Sequence, residues 1–175
     1  MRFDDIIIGG DAWDWELGLR LLSEGRTVCL VAFGGIPSAP DVRGPFVKAG
    51  GTLFFNDRVR EVKWASESTV AALYSINLGD TPLEADRYFL ASGRFVSGGL
   101  VADSDTVREP LFGADVDYIE GHSNWCADDF FDVQPFENFG VKADGEGHLL
   151  IGGKAAANVY AWGEILCAEC RNNEV

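Results

Sequence analysis

The start of the chain alternates apolar runs with a helical pattern, and this arrangement restricts the fold more than any other feature. Residues 5–8 read Asp-Ile-Ile-Ile and stop at Gly9 and Gly10, as a buried parallel strand does before a turn. Large apolar residues then recur at helical spacing until Gly25, and residues 27–31 form a second apolar run. The pattern predicts a βαβ unit, which is the first half of a dinucleotide-binding fold.

Short apolar runs continue downstream and predict the remaining elements. The predicted strands lie at residues 52–55, 59–64, 70–76, 88–91 and 159–161, and the predicted helices at residues 46–49, at residues 125–131 and after Gly163. The strands at 59–64 and 70–76 are expected to form a hairpin. We therefore expect one α/β domain over residues 1–175, with a mostly parallel sheet and a small antiparallel β-meander inserted at about residues 52–78.

Composition and charge narrow the range of partners. The 175 residues are 47% hydrophobic and 24% charged, as expected for a packed globular domain. The 28 acidic and 14 basic side chains give a net charge of -14, which would repel a phosphate backbone, so nucleic acid is not an expected partner. No apolar run reaches the roughly 20 residues that cross a bilayer. Direct membrane insertion is therefore not expected, and the composition indicates a cytoplasmic protein.

The four cysteines are too few and too scattered to predict a disulfide scaffold, so reduced thiols are expected. Cys167 and Cys170 form a CxxC motif, for which a redox pair, half of a zinc site and two incidental thiols on a terminal helix are all open. The other candidate zinc ligands are scattered: Cys29, Cys126, His122 and His148. Structural zinc needs four ligands, so no metal site is predicted and incidental thiols are preferred. No catalytic residue can be assigned from spacing alone.

Three predicted strands end at glycine-containing pairs, and this set is more specific than any one member. The six residues are Gly9, Gly10, Ser92, Gly93, Gly163 and Glu164. A glycine lets the backbone approach a ligand closely. The set resembles the cofactor edge of two-dinucleotide-binding flavoproteins. In chain order, the resemblance implies that the first pair approaches the phosphates, the second flanks the flavin and the third contacts the ribityl chain.

Longer motifs narrow the resemblance. Residues 91–101 and 107–113 read ASGRFVSGGLV and VREPLFG, and residues 129–141 read DFFDVQPFENFGV. These motifs resemble the flavoprotein subunit of anaerobic glycerol-3-phosphate dehydrogenase, most densely over about residues 37–166. The resemblance implies a Rossmann-like FAD/NAD(P)-binding flavoprotein core.

That family implies further properties for the chain. The implied cofactor is FAD or FMN, in a complex that oxidises glycerol 3-phosphate to dihydroxyacetone phosphate and passes electrons toward membrane quinone. The implied partners are a catalytic flavin subunit and a membrane-associating iron-sulfur subunit. Through these subunits the chain would lie at the inner face of the membrane.

The chain departs from the family pattern at the phosphate turn and in length. The fingerprint Gly-x-Gly-x-x-Gly reads GGDAWD from Gly9 to Asp14, so Asp11 and Asp14 stand where glycines are expected. Their spacing is that of a helix-capping pair, whose carboxylates take the N–H groups that would bind a phosphate. Trp13 adds bulk there, and the middle region of family chains is missing after residue 32. A cofactor-free, non-catalytic scaffold or an engineered minimal Rossmann-like domain therefore stays open as an alternative.

Overall fold

The computed structural model describes residues 1–10, 12–33 and 43–171. In chain order, the strands and helices are β1 (Arg2–Gly9), α1 (Ala12–Ser23), β2 (Val28–Ala32), α2 (Arg43–Lys48), β3 (Thr52–Phe55), β4 (Val59–Trp64), β5 (Val70–Ser75), β6 (Glu84–Leu90), β7 (Val101–Ala102), β8 (Val107–Arg108), β9 (Val116–Asp117), β10 (Gly140–Val141), β11 (His148–Ile151), β12 (Lys154–Ala161) and α3 (Ala168–Arg171). The βαβ unit predicted at the start of the chain is confirmed as β1, α1 and β2.

A six-stranded sheet in the order β11-β12-β6-β1-β2-β3 forms the centre of the fold. Strand β1 lies between β2 and β6 and is parallel to both, and β3 and β12 continue the sheet in parallel on either side. Strand β11 pairs antiparallel with β12 at one edge. The fold is therefore α/β with a Rossmann-like, mostly parallel sheet, as predicted.

Both faces of the sheet are covered, and the alternation along β1 shows how. Successive side chains of a strand point to opposite faces. Ile6 and Ile8 accordingly pack in one apolar cluster, whereas Ile7 packs in the other. On the face of Ile7, Trp15 of α1 meets Phe46 of α2 edge to face, with ring centroids 5.5 Å apart. Burial on both faces explains why β1 reads as a continuous apolar run.

The antiparallel insertion is narrower than the predicted span of residues 52–78. Strand β3 belongs to the central sheet, where Leu53 is the register partner of Leu30 on β2 in a parallel pairing. Only β4 and β5 form the predicted hairpin. Its residues Val59 and Val70 pack on the sheet face that carries Ile6 and Ile8.

The helix predicted over residues 125–131 is wrong. Only a 3₁₀ turn at His122–Asn124 precedes this segment, which continues as a series of turns. The side-chain amide of Gln134 donates to the carbonyl oxygens of Asp129 and Asp132 at 3.0 and 2.9 Å. A helix would use such carbonyls for its own hydrogen bonds. The helix predicted after Gly163 is present as a 3₁₀ turn followed by the single turn α3.

A buried carboxylate on β1 ties three parts of the sheet together. Asp5 is fully buried and forms ion pairs with Arg26, which precedes β2, and with Arg87 on β6. The Asp5–Arg87 pair has an Nε–Oδ1 distance of 2.7 Å. Both arginine side chains are about one-third exposed. Asp5 therefore links β1 to its two neighbours in the sheet through charge-assisted hydrogen bonds.

A second buried carboxylate, that of Glu109, organises the turn after β8. Its oxygens accept backbone N–H groups of Leu111 at 2.7 Å, Phe112 at 2.8 Å and Ala114 at 3.3 Å. Burial raises the pKa of Glu109, and these hydrogen bonds only partly offset that shift. The folded chain therefore binds a proton at Glu109 more readily than the unfolded chain does.

The raised pKa of Glu109 predicts a pH-dependent stability. Its contribution is fully present below the ordinary glutamate pKa of about 4.3 and is lost as pH rises through the higher folded pKa. Urea unfolding between mildly acidic and neutral pH is expected to show this decline in the wild type and not in Glu109→Gln. The variant is also expected to lose about 1–2 kcal/mol, because one acceptor oxygen becomes an NH₂ group. Equal pH slopes in the two proteins would contradict the assignment, and the exposed Glu169→Gln is the control.

Candidate functional site

Three parallel strands end side by side, and the predicted site residues follow directly from them. Across the adjacent strands β1, β6 and β12, Ile8 is paired with Leu90, and Leu90 with Ala161. The residues that come next are therefore brought to one edge of the sheet: Gly9 and Gly10, Ser92 and Gly93, and Gly163 and Glu164. The carboxyl edge of a parallel sheet is where open α/β folds bind their ligands.

Close backbone packing requires small residues at this edge. A Cβ atom on Gly9 would lie 2.5 Å from the carbonyl oxygen of Ala91, which follows β6. Gly93 and Gly163 have positive φ angles of 66° and 70°, which glycine adopts without a steric cost. These glycines thus satisfy the packing and turning of the strand ends, and they leave the backbone open to close approach.

The turn between β1 and α1 contains a carboxylate. The Asp14 side chain accepts the backbone N–H of Gly10 at 2.5 Å, and the residue is only 1% exposed. A Cβ atom on Gly9 would lie 2.1 Å from the same Oδ2 atom. The prediction that Asp14 takes an N–H group of this turn is therefore confirmed. Its predicted capping partner Asp11 and the side chain of Trp13 lie outside the described residues.

The second strand end is folded back on itself by a glycine that sequence reasoning did not assign to the site. A Cβ atom on Gly99 would lie 2.0 Å from the carbonyl oxygen of Gly93 and 2.6 Å from Oγ of Ser92. The backbone N–H of Gly99 donates to the carbonyl oxygen of Arg94 at 3.0 Å. The adjacent glycines at 98 and 99 were the available signal for such a close approach.

The third strand end is joined to the second by an ion pair. Arg94 contacts Oε2 of Glu164 at 3.1 Å and also donates to the carbonyl oxygen of Glu137. The Glu164 side chain is 48% exposed, so this pair is a weak stabiliser. Arg94 was not predicted, although it directly follows Ser92 and Gly93. Its guanidinium places a positive charge at an edge that otherwise carries carboxylates.

Two polar atoms at this edge are buried without a hydrogen-bond partner, Oγ of Ser92 and Nε1 of Trp162. Leu90, two residues before Ser92, packs in the cluster that holds Ile6, whereas Trp162 packs against the cluster next to α1. Ser92 and Trp162 therefore serve opposite faces of the sheet. A buried polar group without a partner costs free energy, and a ligand acceptor is one way to satisfy it.

Two kinds of site are not seen in the parts of the chain that the structure describes. Within residues 1–10, 12–33 and 43–171, no group of three or more His, Cys, Asp or Glu side chains could hold a metal ion. Over the same ranges, no helix has the length and apolar character needed to span a membrane.

Comparison with known proteins points to one cofactor class. Residues 19–173 match the family model of the FAD binding domain. One subunit of anaerobic glycerol-3-phosphate dehydrogenase from Vibrio vulnificus is 32% identical over 161 residues, which are 85% of this chain and 37% of that protein. The same subunit from Pectobacterium carotovorum is 39% identical over 121 residues, which are 69% of this chain and 28% of that protein. The chain thus spans well under half the length of these relatives.

Solved structures with related folds are more distant. A geranylgeranyl bacteriochlorophyll reductase-like protein from Thermoplasma acidophilum matches with a TM-score of 0.45 and 10% identity, over 53% of this chain and 39% of that one. An oxidoreductase from Agrobacterium tumefaciens matches with a TM-score of 0.44 and 21% identity, over 53% of this chain and 37% of that one.

Proposed function

Because the chain belongs to the FAD binding domain family, we propose that it is the flavin-holding part of a redox protein, of the same type as the flavoprotein subunit of anaerobic glycerol-3-phosphate dehydrogenase. The observation that carries the proposal is the convergence of β1, β6 and β12 at one edge of the sheet. The 32% identity with a subunit of that dehydrogenase supports the reaction class. In this proposal, electrons pass from glycerol 3-phosphate, which becomes dihydroxyacetone phosphate, toward quinone.

Partners and location follow from the same proposal. A catalytic flavin subunit and a membrane-associating iron-sulfur subunit would complete the electron path. The chain would work in the cytoplasm, at the inner face of the membrane, through these subunits. The strongly acidic chain, with its net charge of -14, is consistent with protein partners rather than direct contact with anionic lipid headgroups.

The residues fit the ring and ribityl parts of a flavin. When bound, FAD or FMN supplies the redox chemistry, and the protein supplies binding and orientation. Ser92 and Trp162 each offer a buried donor without a partner, which suits the oxygen and nitrogen acceptors of a flavin. Gly93 and Gly163 allow close backbone approach, and Glu164 is exposed enough to accept a ribityl hydroxyl. These five residues, with Gly9 and Gly10, are our proposed cofactor contacts.

The phosphate side fits less well, because Asp14 takes the Gly10 N–H group that a cofactor phosphate would otherwise use. Helix N-termini bind anions through such N–H groups. A carboxylate already present there repels a second anion. We therefore propose that affinity for FAD and for FMN is impaired relative to a chain with glycine at position 14.

A second candidate function is a cofactor-free scaffold without catalytic activity. The specific observation in its favour is again Asp14, because a chain that supplies its own anion to the turn does not need a phosphate to complete it. The aromatic side chain of Trp162, which has the Arg20 guanidinium 5.1 Å from its ring centroid, fills space at the same edge. Such a scaffold would keep the fold and lack the flavin.

Flavin titration separates the two candidates. If flavin binds at the strand ends, FAD is expected to quench tryptophan fluorescence saturably, and Trp162→Phe is expected to remove most of the quenching. Trp64→Phe, on the hairpin strand β4, is the matched control and is expected to keep it. Purified protein that lacks the visible flavin band and shows no saturable quenching at millimolar FAD would support the scaffold instead.

A further inference from the structure

The CxxC motif lies at the end of the described chain, just after the third strand end. The backbone N–H of Arg171 donates to the carbonyl oxygen of Cys167 at 3.0 Å, so these residues form one helical turn. Side chains three positions apart in such a turn are neighbours, with Cβ atoms about 5–6 Å apart. A small rotation of the side chains brings sulfur atoms at this spacing to bonding distance.

Both sulfur atoms already face one another. The Cys167 sulfur accepts the backbone N–H of Cys170 and shares a hydrogen bond with the Cys170 thiol. Sγ of Cys170 lies 3.5 Å from the backbone nitrogen and 3.6 Å from the carbonyl oxygen of Ala143. Both thiols are reduced in this structure. The two are therefore held together by their own contacts and by the segment that follows β10.

The two thiols differ in access. Cys167 is 2% exposed, and burial raises its pKa to about 11. Cys170 is only partly buried, so it is the sulfur that a small molecule reaches first. This division between an accessible thiol and an adjacent covered thiol is what stepwise disulfide exchange requires.

We propose that Cys167 and Cys170 are a redox-active dithiol that a low-molecular-weight disulfide converts to an intramolecular disulfide. In the first step, the Cys170 thiolate attacks the external disulfide, forms a mixed disulfide and releases one thiol. In the second step, Cys167 loses its proton and attacks Sγ of Cys170, which releases the second thiol. Two protein thiols are oxidised and one external disulfide is reduced to two thiols, so atoms and electrons balance.

Oxidation is expected to change local contacts at the C-terminal end of the site. The Cys170 S–H group that donates to the carbonyl oxygen of Ala143 is consumed. The new bond would pull Sγ of Cys170 away from Ala143 and toward Cys167. The closed ring spans four residues only, so little stabilisation is expected from it. The proposal involves no flavin and does not depend on the proposed function.

Mass spectrometry of one peptide tests the proposal, with oxidised glutathione as the probe. Trypsin cleaves after Lys154 and Arg171, so the peptide of residues 155–171 contains both cysteines of the motif and no other. The folded chain is treated with oxidised glutathione, alkylated with N-ethylmaleimide and digested. We expect the peptide to be lighter by two hydrogens, to carry no alkyl group, and to recover both thiols after dithiothreitol.

Single variants assign the two steps. In Cys167→Ser, Cys170 is expected to stop at the mixed disulfide with glutathione, because no second thiol resolves it. In Cys170→Ser, Cys167 is expected to stay reduced because it is covered. Cys126→Ser, at an exposed cysteine outside the motif, is the matched control and is expected to behave as wild type.

Two outcomes would overturn the proposal. One is a wild-type peptide that keeps both thiols while Cys126 in the same sample is glutathionylated, since the oxidant is then demonstrably active. The other is a wild-type mixed disulfide on Cys170 that never closes. Circular dichroism checks that each variant folds. If Cys167→Ser does not fold, the wild-type peptide alone decides the outcome.

Discussion

Replacing Asp14 with glycine is expected to raise the affinity of the chain for FAD by up to about a thousandfold. Two unit charges about 4 Å apart repel by about 4 kcal/mol at an effective dielectric constant near 20, which corresponds to about that factor. Glycine removes both the charge and the side chain beside Gly10. Asp14→Asn removes the charge alone and is expected to recover a smaller part of the affinity.

The same substitution is expected to lower stability by about 1 kcal/mol, since the hydrogen bond at the start of α1 is lost. Flavin titration and thermal unfolding of the two variants measure both effects. Glu16→Gln, an exposed acidic position on α1, controls for the change in net charge. If neither Asp14 variant binds FAD more tightly than wild type, the carboxylate is not the obstacle. The missing middle region or aromatic bulk would then be.

Replacing Asp5 with asparagine is expected to cost about 3 kcal/mol of the free energy of unfolding. Removing one member of a buried charge network leaves the others without compensation, typically at a cost of about 3–5 kcal/mol. The lower end applies because Arg26 and Arg87 keep some contact with water. Urea unfolding at neutral pH measures the loss.

An exposed ion pair in the same sheet provides the matched control for Asp5. Arg2 and Asp86 are 2.6 Å apart, and their side chains are 67% and 54% exposed. Exposed pairs contribute about 0–1 kcal/mol, so Asp86→Asn is expected to change stability little. Similar losses for Asp5→Asn and Asp86→Asn would show that burial of Asp5 is not what makes its pairs important.

The parts of the fold that could be predicted are those fixed by local pattern. The apolar run at residues 5–8, the helical spacing after it and the glycines at strand ends all carry their signal within a few residues. They predicted the βαβ unit and the shared edge of β1, β6 and β12. Asp14 was also predictable, because a carboxylate at capping distance from a helix start has a local partner.

The parts that could not be predicted depend on distant contacts. A four-residue apolar run such as β3 does not reveal which strand it joins or in which direction, so its place beside β2 was missed. The turns over residues 125–131 depend on the Gln134 side chain, which competes with a helix for the backbone carbonyls. The pair of Arg94 and Glu164 joins residues 70 positions apart, and no spacing rule connects them.

The central position of β1 has a consequence for the order of folding. Its helix-linked neighbour β2 is close in sequence, but Ile8 must also pair with Leu90 on β6, and Leu90 in turn with Ala161 on β12. Contacts between such distant residues form slowly, because the intervening loops must close first. The N-terminal βαβ unit therefore exposes one side of β1 until most of the chain has been synthesised. The edge that gathers the three strand ends is consequently among the last features of the molecule to form.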